Sequence, residues 1–312
     1  MGNRLWSGAL LNLSAIALLS GCNEESANKN NGEDEAIKIV TTTAQIGEPL
    51  EVIGGDRVDV TSLMGPGVDP HLYTATQGDI KTLSDADMIF YNGLYLEMQM
   101  NKVFENINVP AIPIGEAVKT ADLLEDEEDE TANDPHIWFD VHLWKQALNA
   151  AVEELKTFSP DDAEMFEENK QAYFEELEEL YTYATEKLAE IPEEKRVLVT
   201  AHDAFQYFGQ MNNIEVIGLQ GLSTEDEVGI MDIQGTIDLV VEKGVPAVFV
   251  ESSVNRSSIE AVIEGASKAG LDIELGGELF SDAMGEAGTE EGTYIGMYRH
   301  NVDTIYDALM RK

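Results

Sequence analysis

The chain has 312 residues, 43% hydrophobic and 25% charged, enough to bury a full core without disulfides and too apolar for disorder. Sixty Asp and Glu against nineteen Lys and Arg leave a formal net charge of -41. That balance excludes nucleic-acid binding by phosphate neutralisation and docking by charge on an anionic membrane. It suits a protein working in high salt, as in a halophilic or alkaliphilic source, where screening removes the self-repulsion.

The first element in the chain is the apolar run of residues 5–21 behind Arg4. It is short and sharply ended, which fits the h-region of a secretory signal better than a membrane span. It closes at Leu19-Ser20-Gly21-Cys22, and Cys22 is the sole cysteine, so no disulfide forms within the chain. This resembles the bacterial lipobox, where cleavage precedes the cysteine and the thiol carries a diacylglycerol. The expectation is a signal peptide over 1–21 and a lipid anchor on Cys22, which holds the protein to a membrane. Residues 22–36, rich in Asn and Glu and without apolar period, read as a solvated tether.

From Ile37 onward, β-rich runs alternate with helical ones. Strands are predicted at 37–43, 58–64, 88–92, 196–200, 214–219, 247–252 and 272–275, with helical patterns at 143–157 and 230–243. That alternation predicts an α/β fold with mostly parallel sheets. One segment breaks the rhythm. Between 160 and 191, Tyr173, Leu177, Leu180, Ala184, Leu188 and Ile191 recur at helical spacing. Ser159 is placed as N-cap, Pro160 at the first helical position, and Asp161 and Asp162 at the positive end of the dipole. A helix of about 30 residues is roughly 45 Å long. It predicts a rigid strut, 159–192, between an N-terminal lobe, 37–158, and a C-terminal lobe, 193–312. Residues 122–134 hold eight carboxylates and no basic residue, and read either as an acidic surface loop or as an attractor of divalent cations.

Of the five histidines, three share a setting. His71 lies in Asp69-Pro70-His71, His136 in Asp134-Pro135-His136, and His202 at the end of a strand, at intervals of 65 and 66 residues. Strand ends are where α/β proteins gather their sites, and the prolines present the imidazoles on restricted backbone. His142, at a helix start, and His300, placed before the final helix, read as capping or surface histidines. Imidazole with a completing carboxylate is a ligand set for zinc, manganese or iron. Asp282, in the loop expected after Gly276-Gly277, is a candidate carboxylate, but spacing alone does not single it out among sixty acids.

Several longer segments carry a resemblance. They are GVDPHLYTATQGDIKTLSDADMIFYNGLYLE (67–97), DPHIWFDVHLW (134–144), VTAHDAFQYFG (199–209), VFVESS (248–253), GGELFSDAMG (276–285) and GTYIGMYRHNVDTI (292–305). In this order they resemble the metal-binding lipoproteins of bacterial ABC importers, solute-binding protein family 9, most closely its TroA-like manganese and zinc binders. The resemblance covers about residues 37 to 312. It implies two α/β lobes joined by one long rigid helix, with a metal in the cleft. Carried over position by position, the ligands are His71, His136, His202 and Asp282, two from each lobe. Two departures bear on the metal. Zinc specialists of the family typically carry a His-rich acidic loop, whereas 122–134 has no histidine. Manganese specialists often have Glu where this chain has His202.

A zinc hydrolase would need an open metal position and a placed base, and no HExxH or serine elbow is present in the sequence. A surface adhesin is the other rival, permitted by an anchor and an acidic surface. The reading the resemblance implies is a non-enzymatic, extracytoplasmic monomer that captures one Mn2+ or Zn2+ per chain. It would hand the ion to an ABC permease driven by a cytoplasmic ATPase.

Overall fold

Four short strands in the first half of the folded region build the first sheet. The computed structural model describes residues 35–125, 132–225 and 227–311. The signal, Cys22 and most of the tether therefore lie outside the described residues, as does the tip of the acidic loop. In chain order the first half runs β1 (Ile37–Thr41), α1 (Ala44–Gly54), β2 (Val58–Ser62), α2 (Gln77–Ser84), β3 (Met88–Tyr91), α3 (Asn101–Asn106) and β4 (Ala111–Pro113). These strands form a parallel sheet in the order β2-β1-β3-β4, with Ile39 between Val60 and Met88. Then come α4 (Val141–Phe158) and α5 (Ala163–Leu188).

The second half runs β5 (Val197–His202), α6 (Gln206–Asn212), β6 (Glu215–Gln220), α7 (Ile230–Lys243), β7 (Ala247–Glu251), α8 (Ser257–Lys268), β8 (Glu274–Leu279) and α9 (Tyr294–Leu309). β5 pairs with β6 and β7 with β8, both parallel, and β5 lies beside β7. Every residue of β5 and of β7 is buried, as expected of strands covered on both faces. The protein is α/β with parallel sheets and one long helix.

That helix is α5. Its 26 residues make a rod of about 39 Å. Phe166, Lys170, Tyr173, Leu177, Leu180, Ala184 and Leu188 form its buried stripe. The stripe packs on α1 and α4 from the first half and on α6 and α9 from the second. One continuous hydrophobic core runs along it, from Ile37 to Leu309. Lys170 sits in the stripe because its ammonium reaches Glu167 at 2.7 Å and Asn149 Oδ1 at 2.8 Å, which offsets the burial of a charge.

Four sequence expectations shift in detail. The long helix opens with a 3-10 turn, Pro160–Asp162, before α5 begins. Ser159 does not cap it by accepting a backbone N–H, because its hydroxyl donates to Asp162 Oδ2 at 2.6 Å instead. The Gly276-Gly277 pair lies inside β8, not in a loop, at an irregularity in pairing with β7; a Cβ on Gly276 would come within 2.5 Å of the Phe249 ring. His300 lies within α9, not before it, since α9 starts at Tyr294. β4 has three residues bounded by prolines, too short for a periodic signal.

Candidate metal centre

The site forms where loops leave the carboxyl ends of strands, the usual position in parallel α/β proteins. His71 lies in the irregular segment 63–76 after β2. His136 stands before a 3-10 turn, Ile137–Phe139, that leads into α4, whose first amides are capped by Asp140. His202 ends β5. Asp282 follows β8, on a loop tied to the first half by Gln45 Nε2 and Trp138 Nε1, which both donate to Ser281 O. Two side chains thus come from the segments before α5 and two from those after it.

All four converge. His71 is 3% exposed, His136 and His202 are fully buried, and Asp282 is 1% exposed. One ligand atom from each lies within 4.8 Å of the others. The Nε2 atoms of His71, His136 and His202 stand 3.9, 3.4 and 3.2 Å from Asp282 oxygens. None of these nitrogens or oxygens makes a hydrogen bond of good geometry. Buried polar atoms without partners are costly and rare. Unpartnered donor atoms gathered within 4.8 Å of one another are satisfied by a cation bonded at about 2.0–2.2 Å to each. The donor set, three imidazoles and one carboxylate, fits a divalent transition metal.

The imidazoles are oriented from behind. Asp134 Oδ1 accepts from the His136 backbone N–H at 2.9 Å and lies 2.7 Å from its Nδ1. Glu251 Oε1 accepts from the His202 backbone N–H at 2.8 Å, while its Oε2 is 2.6 Å from Nδ1. A carboxylate on Nδ1 leaves Nε2 free to face a metal and makes it a stronger donor. Burial alone would lower the pKa of both rings. For His136, Asp134 and Asp282 outweigh it and hold the ring up to about 9. For His202, Glu251 and Asp282 do the same and raise it well above the usual value. Among the described residues no carboxylate other than Asp282 is paired with the His71 ring, and burial with two neighbouring imidazoles pulls it down to about 3 against the pull of Asp282. Burial raises Asp282, but His202 and His136 outweigh it and hold the carboxyl well below its ordinary range.

The four side chains singled out in the sequence are therefore together, and the two histidines set aside are elsewhere. His142 is exposed on α4, 3.7 Å from Glu178. His300 Nε2 is 3.0 Å from Glu278 O. Sequence reasoning missed the parts of Asp134 and Glu251 behind the rings. Asp134 had a signal, being two residues before a histidine across a proline. Glu251 closes the apolar strand AVFVE, and a carboxylate at the end of a buried strand is its signal.

A family model described as "ZnuA: Zinc-uptake complex component A periplasmic" matches residues 39–308. The manganese-binding lipoprotein MntA of Bacillus subtilis is 47% identical, over 95% of this chain and 97% of its own. The zinc-binding protein TroA of Treponema pallidum is 42% identical over 95% of this chain and 96% of its own. Its solved structure, at 43% identity, superposes with a TM-score of 0.86 over 89% of this chain and 100% of that one. The manganese ABC transporter substrate-binding lipoprotein PsaA of Streptococcus anginosus is 30% identical over 97% of both chains.

Proposed function

Because the chain belongs to the zinc-uptake component A (ZnuA) family, we propose that His71, His136, His202 and Asp282 hold one divalent manganese or zinc ion as cargo. The protein is an extracytoplasmic solute-binding component of a metal ABC importer and not an enzyme. The observation that carries the ligand assignment is the convergence of unpartnered buried donor atoms from both halves of the chain.

The finer parts of the reading follow from it. Residues 1–21 are a signal peptide, Cys22 carries the lipid, and 22–36 tether lobes 37–158 and 193–312, with 159–192 between them. As a monomer, the protein passes its ion to a permease coupled to a cytoplasmic ATPase. The anchor predicts that Cys22→Ser releases the protein from membranes and leaves metal binding intact. Imidazole-rich shells favour zinc in raw affinity, whereas an ion held too tightly is not handed on. Zinc therefore binds the more tightly, while manganese is the favoured cargo, supported by the histidine-free acidic segment 122–134. The test is elemental analysis of protein made without added metal, paired with uptake by a deletion strain depleted of each metal in turn. One ion per chain, with manganese uptake dependent on the protein, is the expected result. Rescue by zinc alone would make it a zinc importer, and protein that holds neither ion would overturn the ligand set.

A further inference from the structure

His71 is attached differently from the other three candidate ligands. It sits in segment 63–76, which has neither helix nor strand, and its neighbour Leu72 is 53% exposed. The start of that segment is tied to β1, through Leu63 N to Thr41 O and Met64 N to Thr42 O. Its end is tied to α2, through the Tyr73 hydroxyl to Asp79 at 2.8 Å. The middle, which carries His71, is held across the molecule. Asp69 Oδ1 accepts from the His71 backbone N–H at 2.9 Å, and Asp69 Oδ2 accepts from the Thr224 hydroxyl at 2.5 Å. Thr224 belongs to the second half, 155 residues away. Beside it, Gln99 Nε2 donates to Glu225 Oε1, and a Cβ on Gly67 would lie 3.3 Å from Ser252 O. The loop of His71 is therefore hydrogen-bonded to the second half through Asp69, with Gly67 passing near Ser252 and the Gln99–Glu225 bond beside it.

Thr224 is itself well placed. It is 9% exposed, and its carbonyl accepts from Gln220 Nε2 at 2.9 Å. Gln220 ends β6 in register with His202. A continuous path thus runs from the strand of one candidate ligand, through Gln220, Thr224 and Asp69, to the backbone of another.

We infer that Thr224 and Asp69 form a clasp between the two halves that positions His71 and sets how fast the ion leaves. The clasp rests on the metal reading of the same four side chains. His136 and His202 each have a buried carboxylate of their own half beside Nδ1, whereas the backbone of His71 is held through Asp69 by a residue of the other half. Opening the Thr224–Asp69 bond frees the His71 loop, and the ion then loses one imidazole before the rest of the shell is disturbed. Thr224 acts through Asp69 and does not touch the ion; it is a positioning residue.

The test is zinc release from the full chain into excess chelator, followed by stopped flow. Thr224→Val keeps the shape and removes the donor, whereas Thr224→Ser keeps the donor. The expected result is release about tenfold faster from Thr224→Val, an unchanged association rate, and near wild-type release from Thr224→Ser. Equal release from the Val and Ser variants would overturn the clasp. Amide exchange over 67–73 in metal-free protein decides the same point without an ion. Faster exchange in Thr224→Val supports the clasp and unchanged exchange overturns it. Wild type that binds no zinc would overturn the metal reading, and the exchange result would still decide the clasp.

Discussion

The tripeptide Asp-Pro-His occurs twice, and its two copies are put to different uses. In both, the Asp side chain accepts from the His backbone N–H at 2.9 Å, a turn that the proline helps to fix. In Asp134-Pro135-His136 the same oxygen also faces the ring Nδ1 at 2.7 Å. Asn92 Nδ2 holds Pro135 O, the Tyr207 hydroxyl holds Asp134 O, and the buried Trp138 follows two residues on. His136 is thus built into the core. In Asp69-Pro70-His71 the second oxygen accepts from Thr224 of the other half, and among the described residues no carboxylate other than Asp282 is paired with the ring. A motif gives the residue types and the local turn. Whether the ligand is fixed or movable is decided by what packs behind the turn, which the motif does not contain.

The largest effect that could break this contrast is removal of a ligand. His136→Ala, His202→Ala and Asp282→Ala should each weaken zinc binding by at least tenfold, on the order of 1.4 kcal/mol, in a calorimetric titration. His71→Ala should do so as well, with the loss in its dissociation rate. His142→Ala and His300→Ala should match wild type. An equal loss from His300→Ala would remove the assignment.

Next come the groups behind the rings. Asp134→Asn and Glu251→Gln should lower affinity by about 10–100-fold while each ligand stays in place. Asp134→Asn should also reduce the difference between the two motif copies, since Asp282 would then be the one carboxylate paired with either ring among the described residues. Wild-type affinity in both variants would mean that orientation by Nδ1 plays no part.

How much of this was legible in the sequence depends on distance along the chain. The stripe of α5 was readable because a helix repeats its own periodicity, and the three histidines stood out because strand ends and prolines are local marks. Asp282 was legible only through the resemblance, since one acid among sixty has no distinguishing neighbour. The Glu251–His202 pair was not legible. It depends on β5 lying beside β7, a contact between residues 49 positions apart. The Thr224–Asp69 bond was further out of reach, joining two irregular segments with no pattern of their own.

A change with no expected effect on zinc affinity separates stability from binding. Leu177→Ala, in the stripe of α5, should cost about 2–5 kcal/mol of folding stability in denaturant titration, by leaving a cavity. Zinc affinity of the folded fraction should be unchanged, because α5 supplies no ligand. A matching loss of affinity would show the helix to be coupled to the site.

The smallest expected effect is with pH. Burial pulls His136 down, but Asp134 and Asp282 hold it up to about 9, against 6.5 for an ordinary imidazole. Between about pH 7 and 9 the metal-free folded protein thus keeps a proton that the unfolded chain has lost, and its stability falls as pH rises. His202 is raised in the same direction, by Glu251 and Asp282 against burial. His71, pulled down by burial to about 3, is neutral in both states in that window and contributes nothing. Burial lifts Glu97 to about 7 and Asp203 to about 6, so their main titration lies below it. Thermal melts of metal-free protein should drop across the window, while zinc affinity rises as the imidazoles give up their protons. A flat profile in both would contradict the proton assignment.

The central claim is that three imidazoles and one carboxylate from both halves of the chain close on one ion. X-ray absorption at the zinc edge of the loaded protein measures that shell directly. The account predicts three imidazole nitrogens with one carboxylate at about 2.0–2.2 Å, falling to two imidazoles in His71→Ala. A shell made of oxygens alone, or one unchanged in His71→Ala, would contradict it.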